Sequence, residues 1–340
     1  MSRSLAMLAR VFVLKHPWQG LPKISDFEIV EETLSDQLND GEILAKAEWL
    51  TVDPYMRLRS VPGQPLPGGQ VARVLKSRSP EFPEGSQVYG FFGWRDLTVY
   101  KPDPSGPRSY NTIHKMPEMK GLSDSYALGC IGMPGNTAYF GLTEICKPKA
   151  GETLVVTAAA GAVGSTVGQI GKIKGCKVIG FAGSDDKVKW LQEELKFDVA
   201  INYKKVEDLD AVFKQHAPNG IDCYFDNVAG DFNYHVVRNM NPGGRIAQCG
   251  SISTYNADRS KIPLVPFDYP TFRVRKVVME GFQVNQWNDR WFEGLNQIRD
   301  WVLEGKLKVR ETVTEGFENM PQAFIDMLQG KNTGKQVIKV

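Results

Sequence analysis

A glycine-rich turn between an apolar strand and a helix is the feature that most constrains this chain. The segment Ala158–Gln169 reads AAAGAVGSTVGQ and follows the apolar run GETLVVT. In the dinucleotide-binding fingerprint, small residues permit a tight turn, a close approach to the pyrophosphate and close packing of helix on strand. Ala159 takes the place of the first glycine, and Gly161 and Gly164 take those of the second and third. The turn predicts a dinucleotide site whose pyrophosphate faces the amide groups of the helix start.

The region from about residue 150 to residue 300 repeats one alternation. Apolar strands such as CKVIGFAG and IDCYFDNV alternate with helical stretches such as DDKVKWLQEEL and EDLDAVFKQHA. This alternation is typical of βαβ units, which form a doubly wound parallel sheet with helices on both faces. A small-residue turn can also arise from packing alone, but its position at the first βα junction of this series favours cofactor binding.

The two ends of the chain show a different pattern. Residues 1–125 contain short β-rich runs broken by Pro and Gly, which predict a compact β domain such as a small barrel. Residues 310–340 return to a strand–helix–strand pattern, in which we expect Asn319 to cap the helix and Gly330 to end it. The apolar segment KVVMEGFQV is expected to finish one side of the parallel sheet, where an open edge would pair with a second copy in a homodimer.

Composition and charge disfavour several classes of protein. The 340 residues include 41 basic and 39 acidic side chains, which are scattered, so nothing predicts nucleic-acid binding. No apolar run reaches the roughly 18–20 residues of a membrane span, and no signal-peptide pattern is visible, so we expect a cytoplasmic protein. The five cysteines are far apart and set in apolar contexts, which favours buried thiols over disulfides. The four histidines have no ligand spacing, so no metal is predicted.

The preference between NADH and NADPH depends on the end of the second strand. An NAD site usually has Asp or Glu there, about 20 residues after the glycine turn, to hold the ribose hydroxyls. Here the strand ends in Gly183 and Ser184, while Lys187 and Tyr203 lie where they could contact a 2′-phosphate. The sequence therefore favours NADPH. Two alternatives stay open: Asp185–Asp186 could turn back to a ribose, or these acids favour the helix start and Lys187 is only solvated.

Several motifs together resemble the medium-chain dehydrogenase/reductase superfamily. Within it they resemble the branch of leukotriene B4 12-hydroxydehydrogenases/15-oxo-prostaglandin 13-reductases, over almost the whole chain. The motifs are VDPYMR (52–57), ALGCIGMPGNTAYFGL (127–142), AAAGAVGS (158–165), FDVAINYK (197–204), YFDNV (224–228), CGSISTYN (249–256) and GFENMPQAF (316–324). The resemblance implies a GroES-like β-barrel catalytic domain over residues 1–125, completed by residues 310–340. It implies a Rossmann NADP-binding domain over residues 126–309.

The resemblance also implies a set of NADP contacts in the glycine turn and in the loops that follow the strands. They are Gly161, Ala162, Val163, Gly164, Lys187, Tyr203, Asn227, Cys249, Gly250, Ser251, Ile252, Ser253, Thr254, Tyr255, Phe282, Gln283, Val284 and Asn332. One departure from the family pattern is visible. The run LQEELKFD carries one more residue than is usual between Lys187 and Tyr203, which leaves their relative placement open.

The zinc-containing alcohol dehydrogenases of the same superfamily are the nearest alternative. They carry a Cys–His–Glu set where this chain reads TVDPYMR and PGGQVAR, and residues 1–125 contain no cysteine. The sequence thus provides no Lewis acid to polarise an alcohol. It favours a zinc-free NADPH-dependent reductase that acts on the carbon–carbon double bond of α,β-unsaturated ketones and aldehydes. The resemblance implies 15-oxo-prostaglandins, 2-alkenals and related oxidised lipids as substrates, with leukotriene B4 oxidation as a further activity.

Conjugate reduction needs a group that stabilises the enolate oxygen of the substrate. Tyr255, in the loop beyond the fifth strand, is the predicted donor, with the nicotinamide-ribose hydroxyl as a supporting one. Tyr55 and Arg57 are predicted to contact the substrate, since Arg57 suits a lipid carboxylate. Against this, Tyr55 could belong to a core and Arg57 could pair with an internal acid. Two rival functions remain open: a quinone oxidoreductase of the same superfamily, and a non-catalytic NADPH-binding protein.

Overall fold

The computed structural model describes residues 7–35, 37–103, 109–262 and 264–340, so most of the loop predicted over residues 102–109 lies outside the described residues. The first part of the chain is rich in strands. Its elements are β1 (Met7–Leu14), β2 (Phe27–Leu34), β3 (Ile43–Thr51), α1 (Met56–Arg59), β4 (Gln70–Ser77), β5 (Gln87–Gly90), β6 (Leu97–Tyr100) and β7 (His114–Lys115).

The middle of the chain alternates strands with helices. It contains α2 (Met133–Phe140), β8 (Thr153–Val156), α3 (Ala162–Ile173), β9 (Lys177–Ala182), α4 (Asp185–Glu193), β10 (Val199–Asn202), α5 (Leu209–His216), β11 (Ile221–Asp226), α6 (Asp231–Arg238), β12 (Met240–Gln248), α7 (Tyr269–Arg275), β13 (Val278–Gly281) and α8 (Trp291–Leu303). The final elements are β14 (Glu311–Glu315), α9 (Met320–Leu328) and β15 (Lys335–Lys339).

Strands β8 to β13 form a six-stranded parallel sheet in the order β10-β9-β8-β11-β12-β13. Alternate residues of β8 face opposite sides, as the pleat requires. Leu154 and Val156 pack in a core with α3 and α8, whereas Val155 packs with α5 and α6. The strand order reverses between β8 and β11. In open α/β sheets, ligands bind in the crevice beyond the carboxyl ends of the strands at such a reversal.

A separate seven-stranded sheet combines both ends of the chain. Its order is β14-β15-β3-β4-β5-β7, with β6 also paired to β3, and β15 runs antiparallel to β3 with Val337 opposite Thr51. Strands β1 and β2 form a further two-stranded sheet. The predicted α/β fold class, a Rossmann-type sheet with a separate sheet-rich domain, is confirmed. The domain limits near residues 125 and 310 stay predictions.

Some local predictions need correction. From the sequence, Tyr203 is expected at the end of the third strand of the parallel sheet; in the structure β10 stops one residue earlier, at Asn202, and Tyr203 begins a short 3-10 turn. Asn319 precedes α9, but its side chain does not cap that helix; its Nδ2 donates to the carbonyl of Glu315 at 2.8 Å. Gly330 does end α9, with a φ of 71° that favours glycine.

The structure shows the state of the cysteines and allows a search for membrane-spanning helices and metal-binding clusters. All five cysteines are free; four are buried and Cys249 is half-buried, as the sequence predicted. Over the described ranges, the helices are all too short or too polar to cross a bilayer. In that same part of the chain, no cluster of three or more His, Cys, Asp or Glu could bind a metal ion.

Candidate active site

A cleft of about 640 Å³ lies between the two sheets at the point where the parallel strand order reverses. This volume falls within the range of small-molecule and cofactor sites. Every predicted NADP-contacting residue lines it except Ser251 and Thr254, which belong to the same loop as residues that do. The structure therefore brings the glycine turn, the loop after β12 and the loop between α9 and β15 together in one cavity.

The glycine turn requires its small residues for reasons visible in the backbone. Ala158 has a φ of 48°, in the left-handed region, and α3 begins just after Gly161. A Cβ atom on Gly164 would lie 2.4 Å from the carbonyl oxygen of Ala158, a backbone atom that cannot move freely. A Cβ on Gly161 would meet the same oxygen at 3.3 Å. Gly164 is thus the stricter requirement, which matches the close helix–strand packing expected of the third position.

Two lysines and a tyrosine surround the corner beyond β9. Lys187, Tyr203 and Lys204 all line the cleft there, and the Nζ of Lys187 donates to the carbonyl of Gly330 at 2.7 Å. Burial, and then the charge of Lys204, lower the pKa of Lys187. A Cβ on Gly183 would come within 3.3 Å of the Tyr203 ring, so a larger side chain at that position would require Tyr203 to shift. The corner is suited to a phosphate and not to a carboxylate–ribose contact.

The alternative role for Asp185 receives no support from its contacts. Its Oδ1 accepts a hydrogen bond from Asn202 at 2.9 Å, and its Oδ2 forms an ion pair with Lys205 at 2.6 Å. These two hydrogen bonds and the charge of Lys205 lower the pKa of Asp185. The carboxylate therefore joins the start of α4 to the turn after β10. In the same region Lys196 adopts a φ of 61°, within the run that carries the extra residue.

The loop after β11 is held by a buried carboxylate. Asp226 is fully buried, and its Oδ1 accepts hydrogen bonds from the Thr157 hydroxyl and from the backbone amides of Val228 and Ala229. The predicted cofactor residue Asn227 donates from Nδ2 to the Thr157 carbonyl at 2.8 Å. These bonds join the ends of β8 and β11 at the strand reversal. Thr157 therefore supports the site, although the sequence alone gave no reason to select it.

The predicted donor Tyr255 lies in the cleft wall beyond β12. Its side chain is partly buried, and its hydroxyl accepts a long hydrogen bond of 3.4 Å from the amide of Ser251. Burial raises the pKa of Tyr255, so the hydroxyl keeps its proton at neutral pH and can donate it in a hydrogen bond. Nearby, burial and the charge of Asp226 raise the pKa of the Cys249 thiol to about 12, which makes Cys249 a neutral wall residue.

Some side chains of the VDPYMR segment line the cleft, and others pack in the interior. Tyr55 lines the cleft, and among the described residues no hydrogen bond engages its hydroxyl. Burial, and then the charge of Asp53, raise the pKa of Tyr55, which keeps this hydroxyl protonated. Arg57 instead points away from the cleft lining. It donates to Asn256 Oδ1 at 3.2 Å and to the Gly20 carbonyl at 2.9 Å, so its predicted contact with substrate has no support in this geometry.

Two residues beyond this segment, at the end of α1, the cation Arg59 does line the cleft. It lies over the rings of Tyr55 and Tyr110, at 5.6 and 5.8 Å from their centroids, and donates a hydrogen bond to the Tyr110 hydroxyl. Within the described ranges, no carboxylate forms an ion pair with Arg59. The contact of Arg57 with substrate therefore stays a prediction; its hydrogen bonds show that it packs inward, whereas Arg59, two residues later, lines the cleft.

The cleft can accept a dinucleotide phosphate on structural grounds. The amide groups at the start of α3 open onto it, and Lys187 and Lys204 add positive charge at its far corner. Its floor contains a further pair that the sequence did not single out, Asp53 and Lys335, both buried. These features join a phosphate-binding turn, a cationic corner and two protonated tyrosine hydroxyls in one cavity.

Comparison with known proteins agrees with this arrangement. Residues 10–106 match the model of a family described as the N-terminal domain of oxidoreductase. Residues 162–299 match a family described as zinc-binding dehydrogenase. The chain is 46% identical over 336 residues to prostaglandin reductase 1 of Bos taurus, covering 97% of this chain and 99% of that one.

Two further matches have names that mention the cofactor. The chain is 40% identical to the NADP(+)-dependent 2-alkenal reductase of Nicotiana tabacum, covering 96% of each chain. The crystal structure of CurA from Vibrio vulnificus in complex with NADPH has a TM-score of 0.86 and 37% identity, covering 97% of this chain and 99% of that one.

Proposed function

Since the chain belongs to the medium-chain dehydrogenase/reductase superfamily and, within it, to the prostaglandin reductase 1 family, we propose that it is an NADPH-dependent reductase of the carbon–carbon double bond of α,β-unsaturated ketones and aldehydes. The observation that carries this proposal is the cleft. It joins a pyrophosphate turn and a cationic corner to two protonated hydroxyls, those of Tyr55 and Tyr255.

The residues of the cleft account for cofactor binding and for stabilisation of the enolate, which then takes up a proton from solvent at its α-carbon. NADPH, when bound, supplies a hydride for the β-carbon of the enone. The glycine turn would hold the pyrophosphate, and Lys187 with Lys204 would hold the 2′-phosphate. Tyr255 donates a hydrogen bond to the substrate oxygen as negative charge develops there, and Tyr55 offers a second donor on the opposite wall. Apolar side chains such as Met133 and Phe282 line the rest of the cavity and exclude water.

The proposed substrates are 15-oxo-prostaglandins, 2-alkenals and related oxidised lipids, with leukotriene B4 oxidation as a further activity. The names of the relatives support the reduction of such enones and enals. NADPH oxidation measured side by side with a 15-oxo-prostaglandin, a short alkenal and a quinone tests the proposal. Turnover of the enones with little quinone reduction is expected. Fast quinone reduction alone would favour the quinone oxidoreductase, and no turnover of any substrate would favour a non-catalytic NADPH-binding protein.

The proposed chemistry is independent of zinc. The segments TVDPYMR and PGGQVAR lack the cysteine and histidine that a zinc-dependent alcohol dehydrogenase needs. Tyr55 and Tyr255 provide neutral donors in its place. Turnover is therefore expected to persist after prolonged treatment with a chelator. Metal analysis of the treated protein checks that zinc has been removed. Stoichiometric zinc whose removal abolishes turnover would contradict this part of the proposal.

We also propose a homodimer and a cytoplasmic location, as expected from the sequence. Strand β13 lies at the end of the parallel sheet, and its residues Val278 and Met279 are 57% and 37% exposed. The nearby Leu264 and Tyr269 are also exposed, at 100% and 74%. An open edge beside apolar side chains is suited to pairing with a second copy across a two-fold axis. Sedimentation at micromolar concentration tests this, and a monomer would contradict it.

A further inference from the structure

Lys335 is a buried cation at the floor of the cleft. Only 4% of the residue is exposed, yet it lines the cavity at the start of β15. Its Nζ donates to the carbonyl oxygens of Val52 and Gln336, both at 2.7 Å, and forms an ion pair with Asp53 Oδ1 at 3.2 Å. The three N–H groups of the ammonium therefore have three oxygen partners, and none is left to donate to a ligand.

Asp53 completes this arrangement from the other side. It is 5% exposed, and its second carboxylate oxygen accepts a hydrogen bond from the Thr51 hydroxyl. Its backbone carbonyl accepts from the amide of Met56 at 3.2 Å, which begins α1. The side chain and the backbone of Asp53 together fix the turn that carries Tyr55 into the cleft.

The backbone just before Lys335 contacts the glycine turn. Gly334, which precedes it, donates from its amide to the carbonyl of Ala160 at 2.8 Å and forms a bridge with Gly161. Gly334 has a φ of 70°, and a Cβ there would lie 1.9 Å from the Arg310 carbonyl oxygen, so the backbone at this position requires glycine. Gly334 and Lys335, which are adjacent in the chain, thus connect the glycine turn to the loop before Tyr55.

We propose that the Asp53–Lys335 ion pair is a positioning device that sets the distance between the cofactor-binding turn and the substrate-binding loop. It acts through Tyr55 and touches neither the substrate nor the reacting atoms. This inference rests on the proposed reductase function, because it concerns the relative placement of the two reactants. A displacement of about 1 Å can cost about 100-fold in rate when reactants must meet in one geometry.

The first test compares Lys335→Met with the double variant Asp53→Asn/Lys335→Met. The single variant leaves a buried carboxylate without its partner, so it is expected to lower the melting temperature. The double variant removes both charges and is expected to recover most of that loss. The positioning role predicts that single-turnover hydride transfer stays about 10–100-fold slow in both, with the NADPH dissociation constant within about twofold of wild type. A rate that recovers along with the melting temperature would overturn the proposal.

The second test asks whether the pair acts through Tyr55. In a double-mutant cycle, Lys335→Met is expected to slow hydride transfer much less in a Tyr55→Phe background than in the wild type. Equal losses in both backgrounds would show a general structural effect and overturn the assigned role. Lys331→Met is the matched control, because Lys331 lies in the same loop, is 60% exposed and pairs with Asp326 at the surface. Its rate is expected to be unchanged.

A third readout needs neither cofactor nor turnover. Amide hydrogen exchange over residues 52–59 of the ligand-free protein reports directly on the loop that Asp53 fixes. Exchange there is expected to increase in Lys335→Met and in the double variant, but not in Lys331→Met. Unchanged protection in the double variant would overturn the inference even if the enzyme turned out to prefer quinones. Failure of the proposed substrate class would leave this result intact, so the two failures can be told apart.

Discussion

The two walls of the cleft are built in different ways. The proposed cofactor wall comes mainly from consecutive βα units, whose lining residues follow strands of one parallel sheet, with Asn332 added from the loop between α9 and β15. The substrate wall comes from segments far apart in the chain, since the loop before Tyr55 meets Lys335 and the ring of Tyr110. Lining residues that come from local βα units can be recognised from the sequence. Lining residues that are brought together from distant parts of the chain can be recognised only in the folded structure.

The walls also differ in electrostatics. The proposed cofactor wall presents amide groups and the lysines Lys187 and Lys204 to the cleft, and burial, followed by the charge of Lys204, lowers the pKa of Lys187. The proposed substrate wall is compensated where its buried ion pair lies, whereas Arg59 has no ion pair among the described residues. Lys335 faces Asp53, and the cleft there presents protonated hydroxyl groups such as that of Tyr55. One wall is therefore prepared for a strongly anionic ligand, and the other for a neutral carbonyl oxygen.

The largest effect is expected from Gly164→Ala, which tests the local character of the cofactor wall. The new Cβ would lie 2.4 Å from the Ala158 oxygen and 2.8 Å from the Ala159 Cα, both backbone atoms. Such overpacking costs about 3 kcal/mol, equivalent to about 100-fold in NADPH affinity if the strain is relieved by moving the turn. Calorimetric titration measures it. Gly161→Ala, with its single contact at 3.3 Å, should lose less; equal losses would contradict the argument.

Tyr255→Phe asks whether the substrate oxygen has a donor on the cofactor wall. The ring remains, so packing is kept and only the hydroxyl is removed. Loss of one oxyanion donor costs about 100–1,000-fold, and because Tyr55 and the ribose hydroxyl share the role we expect about 10–100-fold in hydride transfer. NADPH affinity should hardly change. Stopped-flow measurement of hydride transfer under saturating NADPH distinguishes the two roles of Tyr255. A wild-type rate would show that Tyr255 only lines the cofactor pocket and does not donate to the substrate.

Lys187→Ala tests the cationic corner. We expect about a tenfold or larger loss in affinity for NADPH and for 2′,5′-ADP, with NADH and 5′-AMP unchanged, because only the phosphate loses its partner. Lys204→Ala should show a smaller loss of the same kind. Lys205→Ala is the matched control, since Lys205 is 67% exposed and already paired with Asp185. Equal losses for both nucleotides would remove Lys187 from this role.

The residues proposed to bind the cofactor could be named from the sequence because the glycine turn and the strand ends are local signals and because the other contacts follow from the family resemblance; all but Ser251 and Thr254 line the cleft. A glycine turn, the missing acid at Gly183 and the loop of Tyr255 each lie within a short distance of a strand end. The substrate wall was predicted only in part. Arg57 and Arg59 have similar local sequence contexts, and only the contacts of Arg57 with Gly20 and Asn256 show that it faces inward.

Lys335 shows the same limit more clearly. In the sequence it is one lysine among many in a C-terminal strand, and nothing near it suggests a buried ion pair. Its partner Asp53 lies more than 280 residues away, since the Lys335–Val52 hydrogen bond spans 283 positions. Pairing of this kind depends on β15 returning to β3, which is a property of the folded sheet.

Arg59→Ala tests whether the substrate wall has any charge selectivity. Arg59 lies in the cleft without an ion pair among the described residues, so it can meet an anionic tail of a substrate. We expect the KM for a carboxylate-bearing enone to rise about fivefold, as for an exposed charge pair near 1 kcal/mol, and that of a short alkenal to stay unchanged. Arg57→Ala should instead lower the melting temperature without this selectivity. Equal KM changes for both substrates would contradict the role of Arg59.

The smallest expected effect is a dependence of NADPH affinity on pH. Burial and Lys204 lower the pKa of Lys187 in the free protein, so its ammonium begins to lose its proton at a lower pH than an ordinary lysine. A bound 2′-phosphate favours the charged form, which means that affinity is full below this pKa and falls as pH rises through it. The phosphate has a pKa of about 6, so above neutral pH it is already dianionic and adds no slope.

We therefore expect NADPH affinity to decrease about twofold to threefold as the pH is raised from neutral into the alkaline range, while NADH affinity stays flat. Lys187→Met should remove the slope. If the affinities for NADPH and NADH changed with pH in the same way, the cationic corner would not act through Lys187. The electrostatic difference between the two walls of the cleft would then lose its main support.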